Sequence, residues 1–371
     1  MKPILSFLTC LFILACCNIK NPETIKVVYP EIDGVSFLFS NTLFNNLEII
    51  LLETDSDIPI IGVSPNLIIK NDTYYIVDYA NTKKVHLFDL NGKFINSVGN
   101  VGRGPGEYLY LTDVVFEDNG NISIFSYAEK ALYTYASNGQ FIQKKDCPYE
   151  YSRFIHLNEF SYYFYGHGNR SYQLYITDRH GYTIDSCLTA SKALSLIAFP
   201  PFYRYLETIY LCDPLSGRIY QCKEGKIDVA YNFDFERYTI PDAYFNAKDP
   251  MESIKILTPH TFALKYRFFK AKQSAVLWAA VANLEENWTR ILYGILTDNN
   301  AEWQWFYLPH NDLIAEANLA YVDDSALYFM IEPTLLKDAG LTEKFPLLDD
   351  TDENSNPVII KCTVNAINTK D

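Results

Sequence analysis

The sequence predicts an all-β chain folded as a six-bladed β-propeller of four-stranded antiparallel blades. Three observations carry this. Residues 74–108 read as a pair of β-hairpins closed by a glycine-rich turn, and a weaker copy of the first part begins about one blade length later, at Ile122. Self-similarity at that period is the mark of radially repeated sheets. The composition agrees: Tyr (29) and Phe (24) are abundant while Met (3) is scarce, which suits half-buried pleated surfaces rather than helices. Hydrophobic residues make up 49% of the 371, enough to bury a large core.

The first element is a leader. Lys2 supplies a positive charge, and residues 4–15 form an apolar run too short to span a bilayer but of the length of an export signal's core. The run ends Ala15-Cys16-Cys17, a small residue before cysteine, which resembles the lipobox of bacterial lipoproteins. The expectation is a lipoprotein signal peptide over 1–15, Cys16 as the lipidated N-terminus, and an anchor and tether over 16–45, holding the protein to the outer membrane. Residues 17–21 hold no acidic cluster of the kind that sends some lipoproteins to the surface, so the periplasmic side is favoured.

The propeller is expected over 46–366. Each unit has a β run, a short polar turn, a second run and a closing turn. The first unit is 74–78, 85–89 and Asn91-Gly92; the second 122–127, 132–135 and Asn138-Gly139. The third is 162–165, 174–177 and His180-Gly181; the fourth 209–211, 219–222 and Glu224-Gly225. The fifth is 276–279, 291–296 and Asp298-Asn299, and the sixth pairs 326–331 with 358–362 across a long excursion. Asn-Gly closes hairpins because both residues accept φ > 0. The fifth unit is displaced by an insertion near 232–270, where Asp249-Pro250-Met251-Glu252 supplies an N-cap, a helix-start proline and a capping-box glutamate, predicting one short helix. The run 47–52 is expected to complete the last blade and so close the ring, which removes free sheet edges.

Three passages resemble the six-bladed propeller lipoproteins of gut anaerobes, relatives of NHL-repeat propellers. They are LEIILLET at 47–54, YIVD with VHLFD and NGKF between 75 and 94, and GRGPGEY at 102–108. The resemblance implies the fold and the envelope address. It implies no reaction, since the activity of that family is largely unassigned.

The glycine-rich turn holds the candidate site residues Arg103, Gly104, Gly106, Glu107 and Tyr108. It lacks the Gly-Lys-Ser/Thr ending of a phosphate loop, and a strand rather than a helix follows it. A blade-to-blade connection is expected, with Gly104 or Gly106 at φ > 0. Arg103 and Glu107 read either as a charged pair at the channel mouth or as an ion pair bracing adjacent blades. The acidic run 349–354 lacks the glycine and the closing glutamate of an EF-hand and reads as a solvated tip.

The histidines, at 86, 156, 167, 180, 260 and 310, form no H-E-x-x-H, and no G-x-S-x-G is present. His167 is flanked by glycines and is a weak pocket candidate. Trp303 and Trp305 share a strand face, for sugar stacking or, by default, blade packing. Cys147, Cys187, Cys212, Cys222 and Cys362 are scattered without a C-x-x-C pair, so no zinc site is expected and free buried thiols are preferred. Cys212 and Cys222 do not stand opposite each other about the turn at 214–217, which disfavours a disulfide between them. No metal site or cofactor motif is recognised.

The net charge of −14 repels phosphate backbones and excludes nucleic acid as a partner. The functional expectation is a ligand- or protein-binding or scaffold module of the cell envelope, touching the membrane through its N-terminal lipid and binding an envelope protein or glycan. The alternative is a propeller enzyme, a metal-dependent lyase or hydrolase, with its site in the central channel.

Overall fold

The computed structural model describes residues 27–35, 37, 44–62, 65–146, 153–158, 160–164, 171–178, 182–189, 201–213, 215–272, 274–297, 302–309, 312, 314, 317–338 and 345–364. Cys16, Cys147, His167, His180 and His310 lie outside them. Among the described residues there are six antiparallel blades of four strands each. The first is Asn66–Lys70, Thr73–Asp78, Lys84–Asp89 and Phe94–Val98; the second is Asp113–Phe116, Ile122–Ser126, Ala131–Tyr135 and Phe141–Asp146. The third is Arg153–Leu157, Phe160–Phe164, Tyr172–Asp178 and Thr183–Thr189; the fourth is Phe202–Tyr205, Thr208–Cys212, Arg218–Lys223 and Lys226–Phe233. The fifth is Thr261–Lys270, Ser274–Asn283, Trp288–Thr297 and Gln304–Tyr307. The sixth is Asn318–Val322, Ala326–Ile331 and Val358–Val364, completed by Phe44–Leu51 from the other end of the chain.

Ring closure is therefore made by hydrogen bonds between the two ends of the fold. Phe44–Leu51 runs antiparallel to Val358–Val364, with Leu47 opposite Cys362 and Leu51 opposite Val358. The closing strand starts three residues earlier than the apolar run suggests, because Phe44 inserts its ring beside Phe329, centroids 6.3 Å apart.

The segment expected as tether joins the rim from Val27 onward. Val27–Val28 adds a fifth, parallel strand to the edge of the fourth blade, opposite Asn232 and Phe233. Asp33 accepts hydrogen bonds from Arg237 (2.5 Å) and Tyr238 (2.5 Å), and Phe37 bridges to Tyr307 of the fifth blade. The chain thus borders the outer edges of the fourth and fifth blades before entering the ring at the sixth, covering strand edges that would otherwise invite pairing.

The core is a circle of seams between blades. That between the fifth and sixth buries 20 hydrophobic residues, among them Trp278, Tyr293 and Phe329. That between the second and third buries four among the described residues, Val115, Phe125, Phe154 and Tyr163. Burial scales with apolar area removed from water, so among the described residues the second–third seam contributes least. The predicted helix is present at Pro250–Leu257. Glu252 N–H donates to Asp249 Oδ1 (2.9 Å), and Glu252 Oε2 accepts Lys248 N–H (2.6 Å), one residue before the N-cap, a variant of the expected capping box.

The hairpin turns differ in detail from the expected pair of positive-φ residues. At Asn91-Gly92, Gly92 alone is left-handed (φ 82°), with Gly92 N–H donating to Asp89 O at 3.0 Å. This is a three-residue turn with a glycine bulge. A Cβ on Gly92 would stand 2.0 Å from Leu51 O, so the turn is also where the closing strand presses on the first blade. Glu224-Gly225 does put both residues at positive φ (51° and 72°), as a two-residue turn requires.

Cys212 pairs with Ile219 and Cys222 with Ile209, so the two cysteines are indeed not opposite each other. Both are free and buried, as is Cys362, and Cys187 is buried. Burial pushes the Cys212 thiol up to about 12.

Candidate functional site

The inner strands of all six blades converge on a central channel with a cavity of about 630 Å³. Its wall takes residues from Asn66–Lys70, Asp113–Phe116, Arg153–Leu157 and Phe202–Tyr205, with Arg267 and Tyr321 from the last two blades. Side chains crossing between blades brace it. Tyr203 O–H donates to Val322 O (2.6 Å), tying the fourth blade to the sixth. Arg267 donates to Leu319 O (3.2 Å) and to Asn66 Oδ1 (2.9 Å), tying the fifth to the sixth and first.

One end of the channel is closed by a polar group. Arg153 donates to Thr112 O (2.8 Å) and lies over the Tyr79 ring at 5.3 Å. Asp113 Oδ2 accepts Phe154 N–H at 2.7 Å, joining the second and third blades. Burial pushes the Asp113 carboxyl up to about 6, against the pull of Arg153 and of the amides of Phe154 and Val114. Burial lowers the Arg267 guanidinium to about 10, still charged at neutral pH, and raises the Tyr79 phenol. Beyond Tyr79 and Arg153 lies a second, shallow pocket of about 580 Å³, edged by the exposed rings of Tyr110 and Tyr127. The other end of the channel is open. There Arg204 pairs with Asp118 at 3.0 Å and Leu206 is 72% exposed.

His156 lines the channel, with Nδ1 against Ser161 Oγ at 2.5 Å. Burial lowers its pKa, so the ring is neutral at pH 7. Among the described residues no group of three His, Cys, Asp or Glu side chains converges as a metal site would require.

The glycine-rich turn sits elsewhere, in the connection between the first and second blades. Gly102 N–H donates to Tyr108 O (2.9 Å) and Gly104 N–H to Glu107 Oε2 (2.8 Å), so the Glu107 carboxylate folds back onto its own turn. Tyr108 is fully buried among the first and second blades and donates to Lys83 O at 2.5 Å. Tyr135 O–H donates to Gly106 O at 2.7 Å. Arg103 is exposed. The turn thus splices two blades, and its residues do not form the channel wall. Gly106 is left-handed (φ 77°), and a Cβ there would stand 2.6 Å from Phe141 Cγ, whereas a Cβ at Gly104 would meet Glu107 Cδ at 3.1 Å. Gly106→Ala is expected to cost about 1 kcal/mol or more, and Gly104→Ala less. Thermal melts of the two variants check this, and equal melting temperatures would contradict it.

Trp303 and Trp305 stack on each other (5.6 Å) and meet Phe233 of the fourth blade edge-on, so they pack blades. The acidic run belongs to the excursion between Ala326–Ile331 and Val358–Val364, where Asp352 Oδ1 accepts Asn354 N–H at 2.9 Å.

Lys265 was not singled out by sequence. It is 1% exposed, and its Nζ has no hydrogen-bond partner among the described residues. A register shift between Lys265 and Arg267 in Thr261–Lys270 accompanies this placement, and burial lowers its pKa against Cys212 and Asp213. An unsatisfied buried amine is destabilising, so Lys265→Met is expected to raise stability by about 1–3 kcal/mol in denaturant melts. A loss of stability would show that the amine holds a partner in solution.

The residues that line the channel come chiefly from inner strands absent from the sequence-level repeat. One signal was available: 113–116, 153–157 and 202–205 each begin seven to nine residues before a recognised middle strand.

The fold is similar to two solved structures. A Bacteroides fragilis protein classed as exported matches with a TM-score of 0.74 at 18% identity, covering 92% of this chain and 100% of that one. A DUF4221 member from Bacteroides vulgatus matches at 0.57 and 12% identity, covering 87% and 97%. No curated protein matches the sequence. The family model of the domain of unknown function DUF4934 matches residues 23–363, nearly the whole chain, and the protein belongs to that family.

Proposed function

We propose that this chain is an exported, lipid-anchored binding module of the cell envelope whose ligand site is the central channel. The observation that carries the reading is the cavity of about 630 Å³, walled by every blade and open at one end. Its volume falls within the range of small-molecule sites. The leader and Ala15-Cys16 support export and anchoring. Binding is favoured over the lyase or hydrolase alternative because the two titratable groups best placed for chemistry serve the fold. Asp113 holds the Phe154 amide, and His156 holds Ser161.

The channel is tested with the uncharged fluorescent amphiphile N-phenyl-1-naphthylamine. The expected result is saturable binding to the purified protein that is lost in Val114→Trp, which fills the channel. Absent binding, or binding indifferent to Val114→Trp, would overturn the channel as the site. The anchor is read separately: wild type incorporates labelled palmitate and Cys16→Ser does not.

A further inference from the structure

Resting on the channel as the ligand site, we propose that its ligand is an amphipathic organic anion. An oxyanion head sits at the Arg153–Arg267 end, and an apolar body lies along the inner strands.

The charge balance is the first reason. Among the described residues the wall carries four cations (Lys70, Arg153, Arg204, Arg267) and three acids (Asp113, Asp118, Glu207), an excess of one positive charge in a chain of net charge −14. The rim charges are engaged: Arg204 pairs with Asp118, and Glu207 accepts a hydrogen bond from Asn158 at 3.0 Å. At the closed end the described residues place the guanidiniums of Arg153 and Arg267 with the carboxylate of Asp113, which accepts Phe154 N–H. The surrounding negative charge discourages anions generally, so this end is where the molecule admits one.

Burial is the second reason. Arg267 is 8% exposed, and a guanidinium screened from water attracts an oxyanion more strongly than one at the surface. Its planar fork suits carboxylate, sulfonate or phosphate. The walls supply the third. Between the closed end and the rim the lining includes Val114, Phe116, Ile155 and Phe202, which offer no charge to a ligand and favour an apolar body.

The test compares 8-anilinonaphthalene-1-sulfonate with N-phenyl-1-naphthylamine, which share an aromatic body and differ by the sulfonate. Wild type is expected to bind the sulfonate about ten-fold more tightly, as a charge-assisted contact supplies. In Arg153→Gln and Arg267→Gln the ratio of the two affinities should fall to near one. Both arginines also brace the ring, so Asp113→Asn, which keeps an acceptor for Phe154 N–H, gives a second reading: the sulfonate should bind several-fold more tightly. Equal affinity of the two dyes in wild type, with binding still lost in Val114→Trp, would overturn the anion preference and leave the channel reading standing. Binding of neither dye in the channel would overturn both.

Discussion

Deleting residues 44–53 is expected to abolish cooperative unfolding. The segment supplies the outer strand of the sixth blade, buries Phe44, Ile50 and Leu52 in two seams, and carries the links between sixth and first blades. Glu53 N–H donates to Gly92 O (2.8 Å), Phe94 N–H to Glu53 Oε2 (2.8 Å), and Asn356 Nδ2 to Glu53 O (2.8 Å). Losing these exposes a ladder edge and uncovers two seams, a loss on the order of the 5–15 kcal/mol that holds a domain together. The truncated chain should aggregate or melt without a sharp transition in calorimetry. Removing residues 27–34 instead, which takes away a two-residue strand and the contacts of Asp33, should cost much less. A 44–53 deletion that melts like the full chain would mean the ring holds without its closing strand.

Asp78→Ala is expected to cost about 4 kcal/mol, because it strands several buried donors at once. The Asp78 carboxylate is fully buried. It accepts the backbone N–H groups of Gly62 (3.1 Å), Ala80 (3.0 Å), Asn81 (3.0 Å) and Thr82 (2.8 Å), and the Thr82 hydroxyl (2.8 Å). Thr82 Oγ1 lies 2.7 Å from His86 Nε2, and His86 Nδ1 lies 2.8 Å from Ser97 Oγ, so one polar chain crosses three strands of the first blade. Burial raises the Asp78 pKa, but the hydrogen bonds from Thr82, Asn81 and Gly62 outweigh it and hold the carboxyl below its ordinary value. Burial lowers His86 to about 4.

Both groups make the fold weaker in acid, in sequence. Below pH 6.5 the unfolded chain protonates His86 while the folded chain refuses the proton down to about 4, so stability falls across that window by roughly 3 kcal/mol. The contribution of Asp78 is present above the unfolded carboxyl value and is lost at still lower pH, as the folded group titrates. Urea melts of wild type and His86→Gln between pH 7 and 4 check the first step. An unchanged slope in the variant would assign the acid sensitivity to other groups.

The outer hairpins could be read from sequence because their information is local. Val85-His86-Leu87-Phe88-Asp89 alternates, and Asn91-Gly92 closes the turn with a residue that tolerates φ > 0. The capping box at Asp249–Glu252 is local in the same way. The closing strand also announced itself, as an apolar run with no partner nearby in sequence. The glycine-rich turn was legible as a connection between blades, while its alternative reading, a charged pair at the channel mouth, was not distinguishable from sequence. The glycine density of Arg103 to Tyr108 serves that splice, with Tyr108 buried and Glu107 turned onto its own backbone.

The sequence by itself determined the all-β class, the repeat, the blade count and the joining of the two chain ends, since each follows from short-range alternation and turn chemistry. Only the tertiary structure decided which residues share the channel. Asp113, Arg153 and Arg267 lie on three different blades, and nothing in the spacing of 113, 153 and 267 brings them together. Six inner strands meet because the ring closes, and polar side chains persist there because the cavity and cross-blade hydrogen bonds satisfy them where a packed seam would not.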